Sequence, residues 1–163
     1  LARMLEAGED PRFIARRIVI AASEDVGMGD PTGLQTAVAA MHAVAQIGMP
    51  EARIILAQAV VHNATAPKSN AAYLGINEAI ADVRAGKGGA VPAHLRGSGY
   101  AGAARLGHGK GYLYAHDAPD GIARQTYLPD DLAGKTDYYR PTDRGFESRL
   151  QERWRWIKER LGR

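Results

Sequence analysis

The sequence predicts an all-α fold: a helical bundle of about four to six helices, a long ordered Gly- and Tyr-rich loop, and a C-terminal amphipathic helix. Three observations predict it. Apolar residues recur at spacings of three and four in successive blocks as far as Gly86. Those blocks are bounded by helix punctuation, with Asp-Pro or Pro-Glu at the starts and Gly or Ala-Pro at the ends. A last stripe, Phe146, Leu150, Trp154, Ile157 and Leu161, runs at spacings of four, four, three and four.

Each element has its own grounds. LARML, over residues 1–8, reads as the last turns of a preceding helix, which predicts a chain cut from a longer one. Asp10-Pro11 opens the first full helix, because Asp caps and Pro at the first turn lacks an N–H that would be unpaired anyway. Phe13, Ile14, Ile18, Ala21, Ala22 and Val26 form its stripe, and Gly27 is a left-handed stop. Asp30-Pro31 repeats the start signal, followed by Leu34, Ala37, Val38, Met41, Val44 and Ala45, with Gly48 as the stop. Pro50-Glu51 opens a helix whose centre, ARIILAQAVV, is apolar on almost every side and is expected to be buried all round, in the core or in a subunit interface. Ser69 or Asn70 caps a helix through Tyr73, Leu74, Ile76, Ala79, Ile80 and Val83 to Gly86. Short links predict that these four helices, residues 10–86, pack as antiparallel neighbours.

Residues 87–140 change character, with Gly, Pro and Tyr recurring. One short helix is expected around Tyr100–Leu106, and the rest as ordered loop across the bundle, with Tyr112, Tyr114, Tyr127, Tyr138 and Tyr139 as anchors. The last helix, residues 142–161, is capped by Thr142 or Asp143, and its first stripe is expected to dock on the bundle. Arg149, Arg153, Trp156 and Arg160 form its second face.

The chain has 163 residues, enough for one domain with a real core. It contains no cysteine, so disulfides and thiolate metal sites are excluded. No apolar run reaches the ~18 residues of a membrane span, and no signal peptide is visible, so a cytoplasmic location is expected. The net charge of +3 is uneven. Residues 140–163 hold eight Lys/Arg against four Asp/Glu, and the remainder is slightly acidic. A basic tail fits an acidic partner or nucleic acid, and a solvated helix face accounts for it equally well.

LGHGKGYLYAHD, residues 106–117, has the look of a phosphate-cradling loop. A P-loop requires G-x-x-x-x-G-K-[ST] after a strand. Here Ala104 stands in place of the first Gly, Gly111 replaces the hydroxyl residue, and no apolar strand leads in. A structural turn is the favoured reading, and a backbone N–H nest that meets DNA phosphate with Lys110 stays open. None of His42, His62, His94, His108 and His116 pairs at metal-ligand spacing, and His116-Asp117 lacks further ligands. Glu24-Asp25 is expected to cap the next helix or bind an arginine such as Arg17, because adjacent helical residues point about 100° apart. No serine has a nearby His partner. No active site is expected in this chain.

The strings ARRIVIAASEDVGMGDP, IGMPEARIILAQAV, APKSNAAY, VPAHLR, LGHGKGYLYAHD and YLPDDLAGKTDYYRPTDRGFESRL occur in that order. Together they closely resemble the C-terminal region of a bacterial AAA+ ATPase family. It is the replication-associated recombination protein A family, also called the maintenance of genome stability protein A family, with the Werner helicase-interacting protein as eukaryotic relative. The resemblance implies an all-helical domain that builds a homotetramer of a DNA-dependent ATPase. Such an ATPase acts at stalled replication forks and gaps, with single-strand-binding protein as partner, in the bacterial cytoplasm at the nucleoid. It also implies that ATP and Mg belong to an ATPase core outside this chain, so that the chain holds no cofactor and performs no catalysis.

Two roles are carried forward. For self-assembly, the apolar helix of residues 51–64 offers Ile54, Ile55, Ala59 and Val60 as candidate interface residues, unless residues 87–140 cover them. For DNA binding, the candidates are Arg105 and Lys110 in the loop and Arg149, Arg153, Trp156 and Arg160 on the last helix.

Overall fold

A computed structural model of the chain describes residues 1–135 and 137–163. It is all-α, with six α-helices and no strand among the described residues. The chain divides into two compact units, residues 1–75 with 139–151, and residues 76–138 with 152–163.

The first unit begins with α1, Ala2–Glu6, and α2, Pro11–Ala21. Asp10 caps α2 as expected, its Oδ1 accepting from the Arg12 N–H at 2.9 Å. The helical path continues as a π-turn over Ala22–Val26 and a 3-10 turn over Gly27–Gly29. Periodicity alone does not announce a π-turn, because one inserted residue leaves the apolar pattern nearly intact. Gly27, at φ +49°, holds the turn where a Cβ would lie 2.5 Å from the Ser69 carbonyl oxygen. Helix α3, Thr32–Ile47, starts where Asp30 accepts from both the N–H and the hydroxyl of Thr32. His62 closes on the other oxygen of that carboxylate at 2.9 Å.

Helices α2, α3 and α4, Ala52–Thr65, pack on one another around the core. Ile14, Ala15, Ile18 and Ala22 meet Ala37, Ala40 and Val44, and Ala52, Leu56 and Ala59 complete the cluster. Most of these are small, which lets the backbones approach closely, and Leu56 is the largest apolar side chain fully enclosed. Asn63 fastens α4 to α2 through its Nδ2, which donates to the Ile18 carbonyl at 3.0 Å.

The structure corrects one alternative of the expectation for α4: the core of this chain does not bury the helix all round. Its core face is Ala52, Leu56 and Ala59, whereas Ile54 and Val61 are 58% and 61% exposed. A helix in a three-helix core has one neighbour-facing side, and the surplus apolar residues of α4 fall on the other. A second correction concerns α5, Ala71–Arg84. Ser69 caps it, accepting from the Ala71 N–H at 3.2 Å. Its stripe, however, does not enter a core: Tyr73, Ile76, Ile80 and Val83 are all exposed. The antiparallel four-helix arrangement expected from short links is thus a packed trio, α2 to α4.

Helix α6, Glu147–Leu161, begins later than its apolar pattern suggests. Neither Thr142 nor Asp143 caps it directly. Residues 139–147 instead wind around the carboxylate of Glu147, which is fully buried. Tyr139 OH donates to its Oε1 at 2.7 Å, and the N–H and hydroxyl of Thr142 both donate to Oε2 at 2.7 Å. The Ser69 hydroxyl also bonds this carboxylate. Burial pushes the acid upward, but these hydrogen bonds outweigh it and hold Glu147 below its ordinary pKa. Burial and the bond to Glu147 push the Tyr139 phenol well above its own. Beside this network, Gly145 at φ +56° lies where a Cβ would collide with the Gly29 carbonyl and the Pro67 ring. The Gly29 carbonyl accepts from the Phe146 N–H at 2.8 Å.

In the second unit, residues 85–135 run as extended chain and 3-10 turns, including Ala93–Leu95, Ala115–Asp117 and Asp130–Leu132. The helix expected around Tyr100–Leu106 is only a 3-10 turn, Ala103–Leu106, bounded by left-handed Gly102 and Gly107. Polar side chains hold this region. Asp131 accepts from the N–H groups of Gly88 and Gly89, and the Gln125 amide pairs with both backbone groups of Leu113. Tyr138 donates to Asp82 at 2.8 Å. Tyr127 pins the loop locally, donating its hydroxyl to the Ala123 carbonyl at 3.2 Å and accepting from the Gln125 amide, whereas the side chains of Tyr112 and Tyr114 are exposed.

Two outcomes are expected. Leu56→Ala lowers unfolding free energy by about 2–5 kcal/mol in urea titrations, because burial is reduced and a cavity is left behind. Glu147→Gln costs roughly 1–3 kcal/mol near neutral pH, because it leaves a buried donor facing donors. Because the folded-state pKa of Glu147 is depressed, the unfolded chain binds its proton more readily. Its stabilisation is therefore present above the ordinary carboxyl value of 4.5 and lost as pH falls through the folded value. Glu147→Gln should flatten that part of the acid-unfolding curve.

Candidate functional site

The glycine loop is a structural turn. Gly107, Gly109 and Gly111 all have positive φ, which lets the chain reverse within a few residues. The N–H groups of Gly107, His108, Gly109, Lys110 and Tyr112 already donate to the carbonyls of Ala104, Ala103, Ala93, Gly107 and Gly109. A phosphate nest needs such groups free and convergent, so this backbone does not supply one. His108 braces the turn, its Nδ1 lying 2.6 Å from Tyr100 OH and its Nε2 3.2 Å from Arg96 Nη1. The Arg105 and Lys110 side chains are exposed and make no hydrogen bond or ion pair among the described residues.

The two faces of α6 differ in chemistry. Leu150, Trp154, Ile157 and Leu161 are half-buried, while Phe146 at the head of the stripe stays exposed. Trp154 donates its indole N–H to Asp137 at 3.2 Å, and Lys158 pairs with the same carboxylate. On the other face, the guanidinium carbons of Arg153 and Arg160 lie 4.0 Å and 4.8 Å from the Trp156 ring centre. Arg160 also reaches Asp120, with Nε 3.2 Å from Oδ2. Arg149 lies one turn earlier on that face and is exposed. The structure thus brings Arg153, Trp156 and Arg160 into one cluster, whereas Arg105 and Lys110 make no hydrogen bond or ion pair with it. Cation–π contacts hold the guanidiniums in place while leaving N–H donors for an anion.

Other charged groups are engaged structurally. Glu24 and Asp25 are exposed and cap nothing; Asp25 contributes only its backbone carbonyl, which accepts from the Ser69 N–H at 2.8 Å. Neither pairs with Arg17 among the described residues, and Asp30 is the carboxylate that accepts from the Thr32 N–H and hydroxyl at the start of α3. Hydrogen bonds from Lys87 and Tyr138 hold Asp82 below the usual carboxylate range. No group of three or more His, Asp or Glu that could hold a metal ion occurs among the described residues.

The candidate interface residues separate by exposure. Ile54 is on the outer face of α4, Ile55 and Val60 are half-buried against the core, and Ala59 is enclosed. Val61, at nearly the same helical angle as Ile54, is the outward residue that the sequence reading missed. The spacing Ile54, Ala57, Val61 carries that signal, but it is legible only once Leu56 is known to mark the core side.

Comparison with known proteins places the chain. The family described as MgsA AAA+ ATPase C terminal matches residues 1–158. The chain is 60% identical to an uncharacterised AAA domain-containing protein of Mycobacterium tuberculosis, over 94% of this chain and 34% of the relative. It is 47% identical to the replication-associated recombination protein A of Bacillus subtilis, over 93% of this chain and 36% of that protein. It is 42% identical to the protein of the same name in Escherichia coli, over 97% and 35%. The chain therefore spans about a third of the length of the curated relatives it matches. With the match running almost end to end over an all-α fold, the chain belongs to the MgsA AAA+ ATPase C-terminal family.

Proposed function

We propose that this chain is the assembly domain of a DNA-dependent AAA+ ATPase acting in replication-fork maintenance and recombination, and that it forms a homotetramer. The observation that carries this reading is the outward face of α4. Ile54 and Val61 point away from a core that Ala52, Leu56 and Ala59 already complete. Large aliphatic side chains left in one row on a helix mark a contact surface, because covering them removes apolar area from water. The names of the relatives, replication-associated recombination protein A, support the setting. ATP and Mg²⁺ would be held by an ATPase core outside this chain, and the chain itself would contribute no catalytic group. Size-exclusion chromatography with light scattering tests the reading. A mass near four times the chain's 17.5 kDa is expected at micromolar concentration, and a monomer at every concentration overturns it.

A second reading, compatible with the first, is favoured by the Arg153–Trp156–Arg160 cluster. It makes α6 an accessory contact for DNA, which four copies would strengthen by avidity. Guanidiniums meet phosphates, and an indole can stack on an unpaired base. Fluorescence titration with single-stranded DNA at several salt concentrations checks it. Replacing Arg149 and Arg153 with Ala should reduce the salt slope by about 0.7 for each phosphate no longer neutralised. An unchanged slope and affinity rejects this face.

A further inference from the structure

We infer that α5 forms a two-fold contact with α5 of a second copy of this chain, paired antiparallel through Tyr73, Ile76, Ile80 and Val83. The inference rests on the assembly reading above and assigns it a surface. All four side chains are on one side of α5 and are 44%, 57%, 40% and 64% exposed.

Three features of the helix select a second copy as the occupant. The first is spacing. Steps of three, four and three place the residues at alternating positions of a 3.5-residue repeat, the repeat of helices that pack along each other. The sequence of steps is the same read in either direction. An antiparallel copy therefore sets Ile76 against Ile80 twice, and Tyr73 against Val83 twice. The second feature is size. The bulkiest member meets the smallest at each end, and equals meet at the centre, so the gap between helices stays even.

The third feature is charge. A surface that meets itself must avoid like charges facing each other. The stripe is neutral, and Ala72, Asn77 and Ala79 border it. Both carboxylates of this helix lie on the opposite side and are already engaged. Glu78 pairs with Lys135, and Asp82 with Lys87 at 3.0 Å and Tyr138 at 2.8 Å. The cation Arg84 stands at the end of the helix, and antiparallel pairing keeps it away from its own copy. A neutral stripe offers nothing to the phosphates of DNA. Symmetry adds a requirement: a closed tetramer with dihedral symmetry needs two different self-complementary contacts. The outer face of α4 supplies one in the reading above, and α5 supplies the second.

Sedimentation of the whole chain tests this with two variants at exposed positions, Ile80→Asp and Ile76→Lys. Far-UV circular dichroism should be unchanged in both. The wild type is expected at four times the monomer mass and each variant at half that value. An equimolar mixture of the two variants is expected to regain the wild-type mass, because the introduced carboxylate of one copy would then meet the introduced ammonium of the other. Variants that keep the wild-type mass overturn the α5 contact while leaving the assembly reading intact. Variants that are smaller alone and stay smaller when mixed overturn self-pairing in favour of a different occupant. A wild type that is monomeric throughout overturns the assembly reading and this inference with it.

Discussion

The buried carboxylate of Glu147 is the constraint that organises the first unit. A charged group at 0% exposure is tolerable only when its oxygens are satisfied, and here four donors from three residues do so. Those donors come from the entry to α5, from Tyr139 and from Thr142. The network therefore ties residues far apart in the chain to the first turn of α6. Two glycines make the approach possible. Gly27 lets the turn after α2 reach the Ser69 backbone, and Gly145 lets the chain before α6 pass against Gly29 and Pro67. Once α6 starts in that position, the Arg153–Trp156–Arg160 row follows by helical spacing alone.

Much of this is legible in the residues. The four long helices before Gly86 follow from spacings of three and four, and Asp10, Asp30 and Ser69 are the caps that their residue types suggest. The row on α6 is legible for the same reason, since 149, 153, 156 and 160 share a side at any helical register. What is not legible depends on tertiary context. Periodicity identifies an apolar side but not what covers it, so the stripes of α5 and of α2 look alike although one is exposed and the other is core. Nothing local marks Glu147 as buried, because its donors at Ser69 and Tyr139 are assembled by folding. The glycines of residues 106–117 suggest a nest because composition does not reveal which carbonyls will take the N–H groups.

The distribution of charge and apolar area separates two kinds of surface on the chain. The α4 and α5 rows are uncharged and mostly aliphatic, with Tyr73 at one end of the α5 row, whereas the α6 row is cationic and built around an indole. Contacts between identical copies favour the former, because like charges repel across a two-fold axis and aliphatic rows do not. Contacts with a polyanion favour the latter. An assembly domain that also reaches nucleic acid would need both, and this chain carries them on different helices. The chain contains no cysteine, so contacts between its copies are non-covalent.

Solvent paramagnetic relaxation of labelled Ile methyl groups reads which side chains meet water in the assembled state. Ile54, Ile76 and Ile80 are expected to be shielded to the level of core Ile14, while Ile47, 54% exposed and on neither row, relaxes as a surface group. Methyl groups of Ile54, Ile76 and Ile80 that relax as fast as that of Ile47 would contradict the contacts assigned to α4 and α5.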